Sequence, residues 1–288
     1  MALHVKSFKR ASILYNKETE SKAFRLGLAI EVNGIRPGHF YMLRRPGTID
    51  PLLSRPLGVY RLINAHGAAV PGAIEGSAYS SEGVEFLYNV VGRGTTLLTG
   101  MTAGEELSLL GPLGNGFPLP KDRDADKTIM VGGGMGIVPF YLMASLMDKG
   151  VFLFGARGAG QARLARDFSG FPCRVEVATE DGSVGTKGLV TDLLERELSP
   201  DSVVYACGPP AMLKRVAAMA AERGVLCYVS LEKTMACGIG VCLGCAVKTK
   251  AGSGHGLNGA DGGGGRYRMV CSEGPVFEST LVDWDDIY

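Results

Sequence analysis

At 288 residues, with 46% apolar and 20% charged side chains, the chain is long enough for two domains and a small appendage, each with its own core. Thirty basic side chains against twenty-nine acidic ones leave a net charge of +1, which gives no electrostatic reason to expect nucleic acid or an anionic membrane surface as a partner. Seven cysteines do not imply a disulfide framework here: the chain is too large to need staples, and its opening MALHVKSFKR lacks the apolar core of a secretory signal, so a reducing cytoplasm is the expected compartment.

Up to about residue 110, short and partly alternating apolar segments are split by turn signals. FRLGLAIEV (24–32), HFYMLRR (39–45), GVYRLINA (58–65), VEFLYNVV (84–91) and EELSLLG (105–111) read as strands, and no stretch holds a helical period for three turns. That pattern predicts a small antiparallel β-barrel. The charged loop PLPKDRDADK (118–127) marks a boundary.

After the boundary, strand and helix candidates alternate. TIMVGG is followed by VPFYLMASLMDKG, VFLFGAR by QARLARDF, CRVEVATED by LVTDLLEREL, and SVVYACG by PPAMLKRVAAMAAERG. This rhythm predicts an α/β open parallel sheet with helices on both faces. Pro209 and Pro210 suit the first turn of the last helix and Gly224 its end. Thr128–Met147 carries no charge over twenty residues, long enough to span a bilayer, but its interior glycines and proline read as strand, turn and helix. From about 225 the chain becomes a cysteine-bearing tail. Its glycine-rich stretch 251–266, with the lone His255, cannot pack a core and reads as a mobile loop.

Cys237, Cys242, Cys245 and Cys271 give C-x4-C-x2-C-x25-C, the ligand spacing expected of a plant-type [2Fe-2S] centre. Gly238, Gly240 and Gly244 flank them where the backbone must turn tightly and aim N–H groups at a negative cluster. Structural zinc is the competing reading of four cysteines, although it more often uses pairs of C-x2-C. Cys173, Cys207 and Cys227 stand singly in apolar surroundings and read as small buried hydrophobes.

VGGGMGIVP (131–139) follows a strand and opens a helix, so its glycines let the backbone approach a pyrophosphate. The spacing departs from G-x-G-x-x-G, and the next strand ends in Arg157 rather than an acid, which leaves NAD and NADP both open. YACGPPAML (205–213) supplies a second glycine turn at the end of a later strand, and both turns would face one crevice. In the front half, SRPLG (54–58) and VVGRGTT (90–96) place Arg55 and Arg93 at turns. Each is readable as a solvated surface cation, and Arg55 also as a partner for an anionic cofactor.

Taken together, SRPLG, VGRGTTLLTGMTAGEELSLLGPLGNGF, VGGGMGIVP, EDGSVGTKG, YACGPPAML, SLEKTMACGIGVCLGCAV and VCSEGPVF resemble the electron-transfer subunits of two-component, NAD-linked (class 1B) dihydroorotate dehydrogenases, within the ferredoxin-reductase superfamily. The resemblance implies an FAD-binding β-barrel domain at 1–117, an NAD-binding α/β domain at 118–226 and a small [2Fe-2S]-binding domain at 227–288. Arg55, Pro56, Leu57 and Gly58 would face the flavin, and Gly92, Gly94 and Thr95 its phosphates. Gly132, Gly133, Gly134 and Gly136 would turn around the NAD pyrophosphate, and Cys207, Gly208 and Pro209 would lie beside the nicotinamide. The four cysteines would ligate the cluster. The family pattern usually places serine or threonine where this chain has Gly58.

The resemblance further implies an FMN-containing catalytic partner that oxidises dihydroorotate, in a heterotetramer with two copies of each subunit. Electrons would pass through the cluster and FAD to NAD+. No His/Asp/Ser constellation is present, and no catalytic residue is assigned. A ferredoxin:NAD(P) or sulfide-type oxidoreductase component is the neighbouring alternative, and a redox-sensing iron-sulfur protein the more distant one.

Overall fold

The computed structural model describes residues 7–70, 73–75, 78–119, 125–250 and 266–287. The expectation of a mobile glycine loop, with His255, falls on residues outside this set, except for Arg266.

The front third forms β1 (Ser7–Glu18), β2 (Phe24–Ile35), β3 (Phe40–Arg44), β4 (Arg55–Ile63), β5 (Ala73–Glu75), β6 (Ala78–Tyr88) and β7 (Glu106–Leu113). The strand order is β2-β1-β7-β3-β4-β6-β5, and a further β2–β6 pairing closes six of these strands into an antiparallel barrel. Leu26, Leu28, Val84, Phe86 and Leu109 fill its interior. The expected barrel is present, with two strands that periodicity did not reveal. β1 was missed because SFKRASILYNKE alternates for only a few residues, and β5 because it is only three residues long. VVGRGTT, read as a turn, opens a short helix α1 (Arg93–Thr99).

The second sheet contains β8 (Thr128–Gly133), β9 (Val151–Ala156), β10 (Arg174–Thr179), β11 (Thr186–Lys187), β12 (Val203–Cys207), β13 (Leu226–Ser230) and β16 (Val276–Glu278), in the order β11-β10-β9-β8-β12-β13-β16. All pairs are parallel except β13–β16. Alternate side chains serve the two faces. Ile129, Val131, Val151 and Leu153 pack towards α4 (Val190–Glu197) and α5 (Pro210–Glu222). Met130, Phe152, Phe154 and Tyr205 pack towards α2 (Val138–Ala144) and the turn Arg163–Phe168. Burial on both faces explains why these strands read as continuous apolar runs. A one-turn helix, α3 (Ala159–Ala162), precedes the turn at 163–168. Pro209 is the N-cap of α5 with Pro210 next, and Gly224 stands beyond its end at φ +64°.

The uncharged stretch at 128–147 is β8, a turn and α2, and among the described residues no helix is long and apolar enough to cross a membrane. The tail carries a two-stranded hairpin, β14 (Ala246–Thr249) with β15 (Arg266–Met269), before returning as β16. The parallel sheet therefore extends through β13 to residue 230 and takes back a strand from the tail. Cys245, Val247, Val270 and Cys271 share one core with Phe40, Met42 and Leu113 of the barrel and with the sheet. Asn115, just beyond β7, fastens the tail: its amide donates to the Val276 and Glu273 carbonyls at 2.8 and 3.2 Å and accepts from the Val276 N–H at 3.1 Å.

Candidate flavin, nucleotide and iron-sulfur site

A cavity of about 440 Å³ opens where the barrel, the parallel sheet and the segment leading to the cysteines meet. Arg55, Pro56, Leu57, Gly58 and Thr95 line it from the barrel side. Met135, Val138, Pro139 and Cys207 line it from the sheet, and residues 230–235 from the approach to Cys237. Three blocks from different parts of the sequence, 55–95, 135–207 and 230–235, thus share one space.

Arg55 begins β4, and its guanidinium donates from Nη2 to the Leu53 carbonyl at 2.6 Å. Its Nε is buried with no hydrogen-bond partner, so an anionic group in the cavity would satisfy an otherwise costly donor. A Cβ on Gly94 would meet that guanidinium at 2.8 Å, which holds Arg55 against the start of α1. Thr95 Oγ1 accepts from the Val91 and Gly92 N–H groups at 2.9 and 3.2 Å and donates to the Gly92 carbonyl at 2.9 Å, closing the 91–95 turn beside the cavity. Arg93 is instead an exposed cation paired with Asp50. The buried unpaired donor and the turn beside it fit the phosphate end of FAD.

Gly58 has a steric reason. A Cβ there would stand 2.9 Å from Cγ1 of Val138 on α2, so serine or threonine would require that valine to move. The space those residues usually occupy is taken by the sheet domain's own side chain.

The two glycine turns interlock. Gly132 of β8 is registered with Cys207 of the adjacent parallel strand β12. At Gly136 a Cβ would fall 1.9 Å from the Cys207 carbonyl oxygen, so no side chain fits. Gly132 and Gly134 turn against Phe152 and Gln161, and Gly133 lies under Met212 and Pro209. Gly208 adopts φ +154° with Gly133 N 3.0 Å from where its Cβ would be. β8 has β9 on one side and β12 on the other, the strand-order reversal beside which open α/β sheets bind ligands. From the two turn segments Met135, Val138, Pro139 and Cys207 line the cavity, while Gly132, Gly133, Gly134, Gly136, Gly208 and Pro209 do not. Burial pushes the Cys207 thiol well above its ordinary value, so it stays neutral.

The four spaced cysteines come together: Cys242 acts on Cys237, and both Cys245 and Cys237 act on Cys271, while the Ile239 N–H donates to Cys237 Sγ at 3.4 Å. Burial raises the Cys237 thiol, but N–H groups of Cys242, Ile239 and Val241 and the Cys242 thiol outweigh it and hold it at about 6. Burial and the neighbouring Cys245 push Cys271 up to about 12. Gly238 and Gly240 have positive φ, and Gly238 sits on Met42 and Leu113 of the barrel. Among the described residues no three His, Cys, Asp or Glu side chains gather as for a single ion. Thiols beside backbone N–H donors fit the ligands of a cluster, and the C-x4-C-x2-C spacing favours iron-sulfur over a zinc site built from C-x2-C pairs.

Periodicity and spacing did not reveal Tyr88, Asn89, Glu232 and Lys233, which also line the cavity. Glu232 is raised above its ordinary 4.5 by burial and acts electrostatically on Cys207. The signal available in the sequence was its place in SLEKTMAC, five residues before the first of the four spaced cysteines.

Comparison with known proteins agrees with this geometry. Residues 232–283 match the iron-sulfur cluster binding domain of dihydroorotate dehydrogenase B. The chain is 36% identical over 262 residues to the dihydroorotate dehydrogenase B (NAD+) electron transfer subunit of Clostridium acetobutylicum, covering 91% of this chain and 92% of that one. The corresponding protein of a Geobacillus species is 37% identical over 251 residues, covering 85% and 86%. The solved structure of an NADH-dependent reduced ferredoxin-NADP oxidoreductase shares the fold, with a TM-score of 0.69 at 24% identity over 99% of this chain and 91% of that one. The chain belongs to the family of electron transfer subunits of dihydroorotate dehydrogenase B (NAD+).

Proposed function

We propose that this chain carries electrons from a partner FMN-containing dihydroorotate dehydrogenase subunit, through a [2Fe-2S] cluster and FAD, to NAD+, in pyrimidine biosynthesis. The net reaction is dihydroorotate + NAD+ → orotate + NADH + H+. Its organic half belongs to the partner, because no acid-base constellation for dihydroorotate is assigned to this chain. The observation that carries the reading is the shared cavity, where SRPLG, the Cys207 turn and the segment entering Cys237 converge.

FAD, when bound, supplies the exchange between single electrons and a hydride. Arg55 would hold its phosphates, with Gly92, Gly94 and Thr95 shaping the turn beside them. Pro56, Leu57 and Gly58 would lie along the ring. Gly132, Gly133, Gly134 and Gly136, with Gly208 and Pro209, would receive the NAD pyrophosphate, leaving Cys207 beside the nicotinamide. Cys237, Cys242, Cys245 and Cys271 would ligate the cluster, and the apolar walls would exclude water. The domain divisions at 117/118 and 226/227 belong to the same reading, although β13 carries the sheet four residues past the second. So do a heterotetramer of two copies of each subunit and a reducing cytoplasm that keeps the ligand thiols free.

The test is the visible spectrum of the chain isolated anaerobically with its native partner. Bleaching of flavin and cluster bands by dihydroorotate, reversed by NAD+, supports the proposal. Bleaching by NADH or NADPH alone would move the chain to a ferredoxin:NAD(P) or sulfide-type reductase.

A further inference from the structure

Four charges, one buried and three half-buried, form a ring between the barrel and the parallel-sheet domain. Arg25 of β2, Arg61 of β4 and Glu85 of β6 belong to the barrel, and Asp167 belongs to the 163–168 turn of the parallel-sheet domain. Arg25 bridges Glu85 at 3.2 Å and is also paired with Asp167, while Arg61 reaches Glu85 at 3.7 Å and Asp167 at 2.9 Å. Side-chain exposures of 4% for Glu85, 14% for Arg61, 16% for Arg25 and 19% for Asp167 place all four out of bulk water. Tyr60 donates to Asp167 at 2.5 Å and Tyr15 to Glu85 at 2.7 Å, so both carboxylates have further donors. The Arg61 guanidinium lies 5.0 Å from the ring centroid of Tyr60 and 4.3 Å from that of Tyr141 on α2.

The position of this ring bears on the cavity. Gly58 is three residues before Arg61 on β4, and Val138 is three residues before Tyr141 on α2. Those two strand and helix positions form opposing walls of the cavity and meet in the Gly58–Val138 approach. Apolar packing tolerates sliding, whereas Asp167 gripped by the planar guanidiniums of Arg25 and Arg61 is satisfied in one relative orientation; the Arg61–Glu85 approach is looser and leaves Arg61 Nε without a hydrogen bond. The surface pairs of Glu20 with Arg163 and Arg166, both at 3.8 Å, are exposed and add little.

We propose that Asp167 is a positioning residue for the step between flavin and nicotinamide: it locks the sheet domain to β4, so that the walls carried by Gly58 and by Val138 and Cys207 keep a fixed separation. This inference rests on the reading of the cavity as the flavin and nicotinamide site. Glu85 belongs to the same ring but lies wholly within the barrel, so its loss removes the same charge without releasing the junction.

The experiment compares Asp167→Asn with Glu85→Gln in the full chain complexed with its partner. It measures flavin content, thermal midpoint, the stopped-flow rate of flavin bleaching by NADH, and hydrogen exchange of the amides in 55–63 and 138–144. Both variants lower the midpoint; Asp167→Asn slows bleaching about tenfold, Glu85→Gln by less than about twofold, and deprotection at 138–144 appears only in the former. Equal slowing in both variants, or an unchanged rate in Asp167→Asn, overturns the inference. If Asp167→Asn does not fold, Tyr60→Phe removes one hydrogen bond to Asp167 and slows bleaching in the same direction; an unchanged rate there overturns it. The exchange measurement needs no flavin: unchanged protection at 138–144 overturns the inference even in flavin-free chain. A wild-type complex with no NADH-bleached flavin overturns the functional reading instead.

Discussion

Replacing Gly136 by alanine tests whether the two glycine turns must touch. The new Cβ would lie 1.9 Å from the Cys207 oxygen, 2.3 Å from its carbonyl carbon and 2.7 Å from the Gly208 nitrogen. A Cβ essentially never comes within 3.0 Å of a heavy atom outside its own residue and chain neighbours, so the turns must separate by about 1.1 Å from the 1.9 Å approach. The obstacle is backbone held in register by the β8–β12 ladder, which cannot rotate away as a side chain would. Overpacking of this kind costs about 1–3 kcal/mol, and backbone against backbone belongs at the upper end. A cost of about 3 kcal/mol lowers the thermal midpoint by roughly 5–10 °C. Carried into the nucleotide-binding conformation, the same cost weakens NADH binding by about a hundredfold. Thermal melts and NADH titration of flavin absorbance measure both, with Gly100→Ala as control, since its Cβ would meet nothing closer than 3.7 Å. A Gly136→Ala midpoint within about 1 °C of wild type, with unchanged NADH affinity, would refute the claim that these turns close on each other.

Cys242→Ser removes an exposed thiol; iron analysis should show the cluster lost while FAD remains, and reduction of one-electron acceptors should fall far more than NADH-to-dye activity. Arg55→Ala deletes the buried donor at the cavity, and flavin affinity should fall about ten- to a hundredfold, read from flavin absorbance after dialysis. Glu232 is raised by burial, so the folded chain holds its proton more tightly than the unfolded chain, and stability is lost as pH rises above the ordinary 4.5. Glu232→Gln should therefore match the wild-type thermal midpoint near pH 4 (about the ordinary value) and exceed it increasingly at higher pH. A difference that does not vary with pH would show that the carboxyl is not penalised.

Much of the fold and part of the site were legible in the chain because their signals are local. Four cysteines at C-x4-C-x2-C-x25-C carry an iron-sulfur spacing, and residues 232–283 match an iron-sulfur cluster binding domain, while Pro209, Pro210 and Gly224 delimit α5 by their own backbone chemistry. β1 and α1 were not legible. One alternates too briefly, and the other begins in a glycine run that also reads as a turn. β16 is three residues whose pairing partner is β13, nearly fifty positions earlier, so its own composition carries no sign of that sheet.

The sequence by itself determined the chemistry available: four thiols at an iron-sulfur spacing, two glycine-bearing turns, and an arginine before Pro-Leu-Gly. Tertiary structure decided where that chemistry meets. It turned Gly58 from a missing hydroxyl into the seat of Val138, brought Glu232 within electrostatic reach of Cys207, and set Asp167 between arginines, one of them 142 residues away. Local spacing fixes what a short segment can bind, because its geometry is set by a few dihedral angles. Contacts across such separations exist only after the barrel and the sheet have packed, and the packing depends on every buried side chain together.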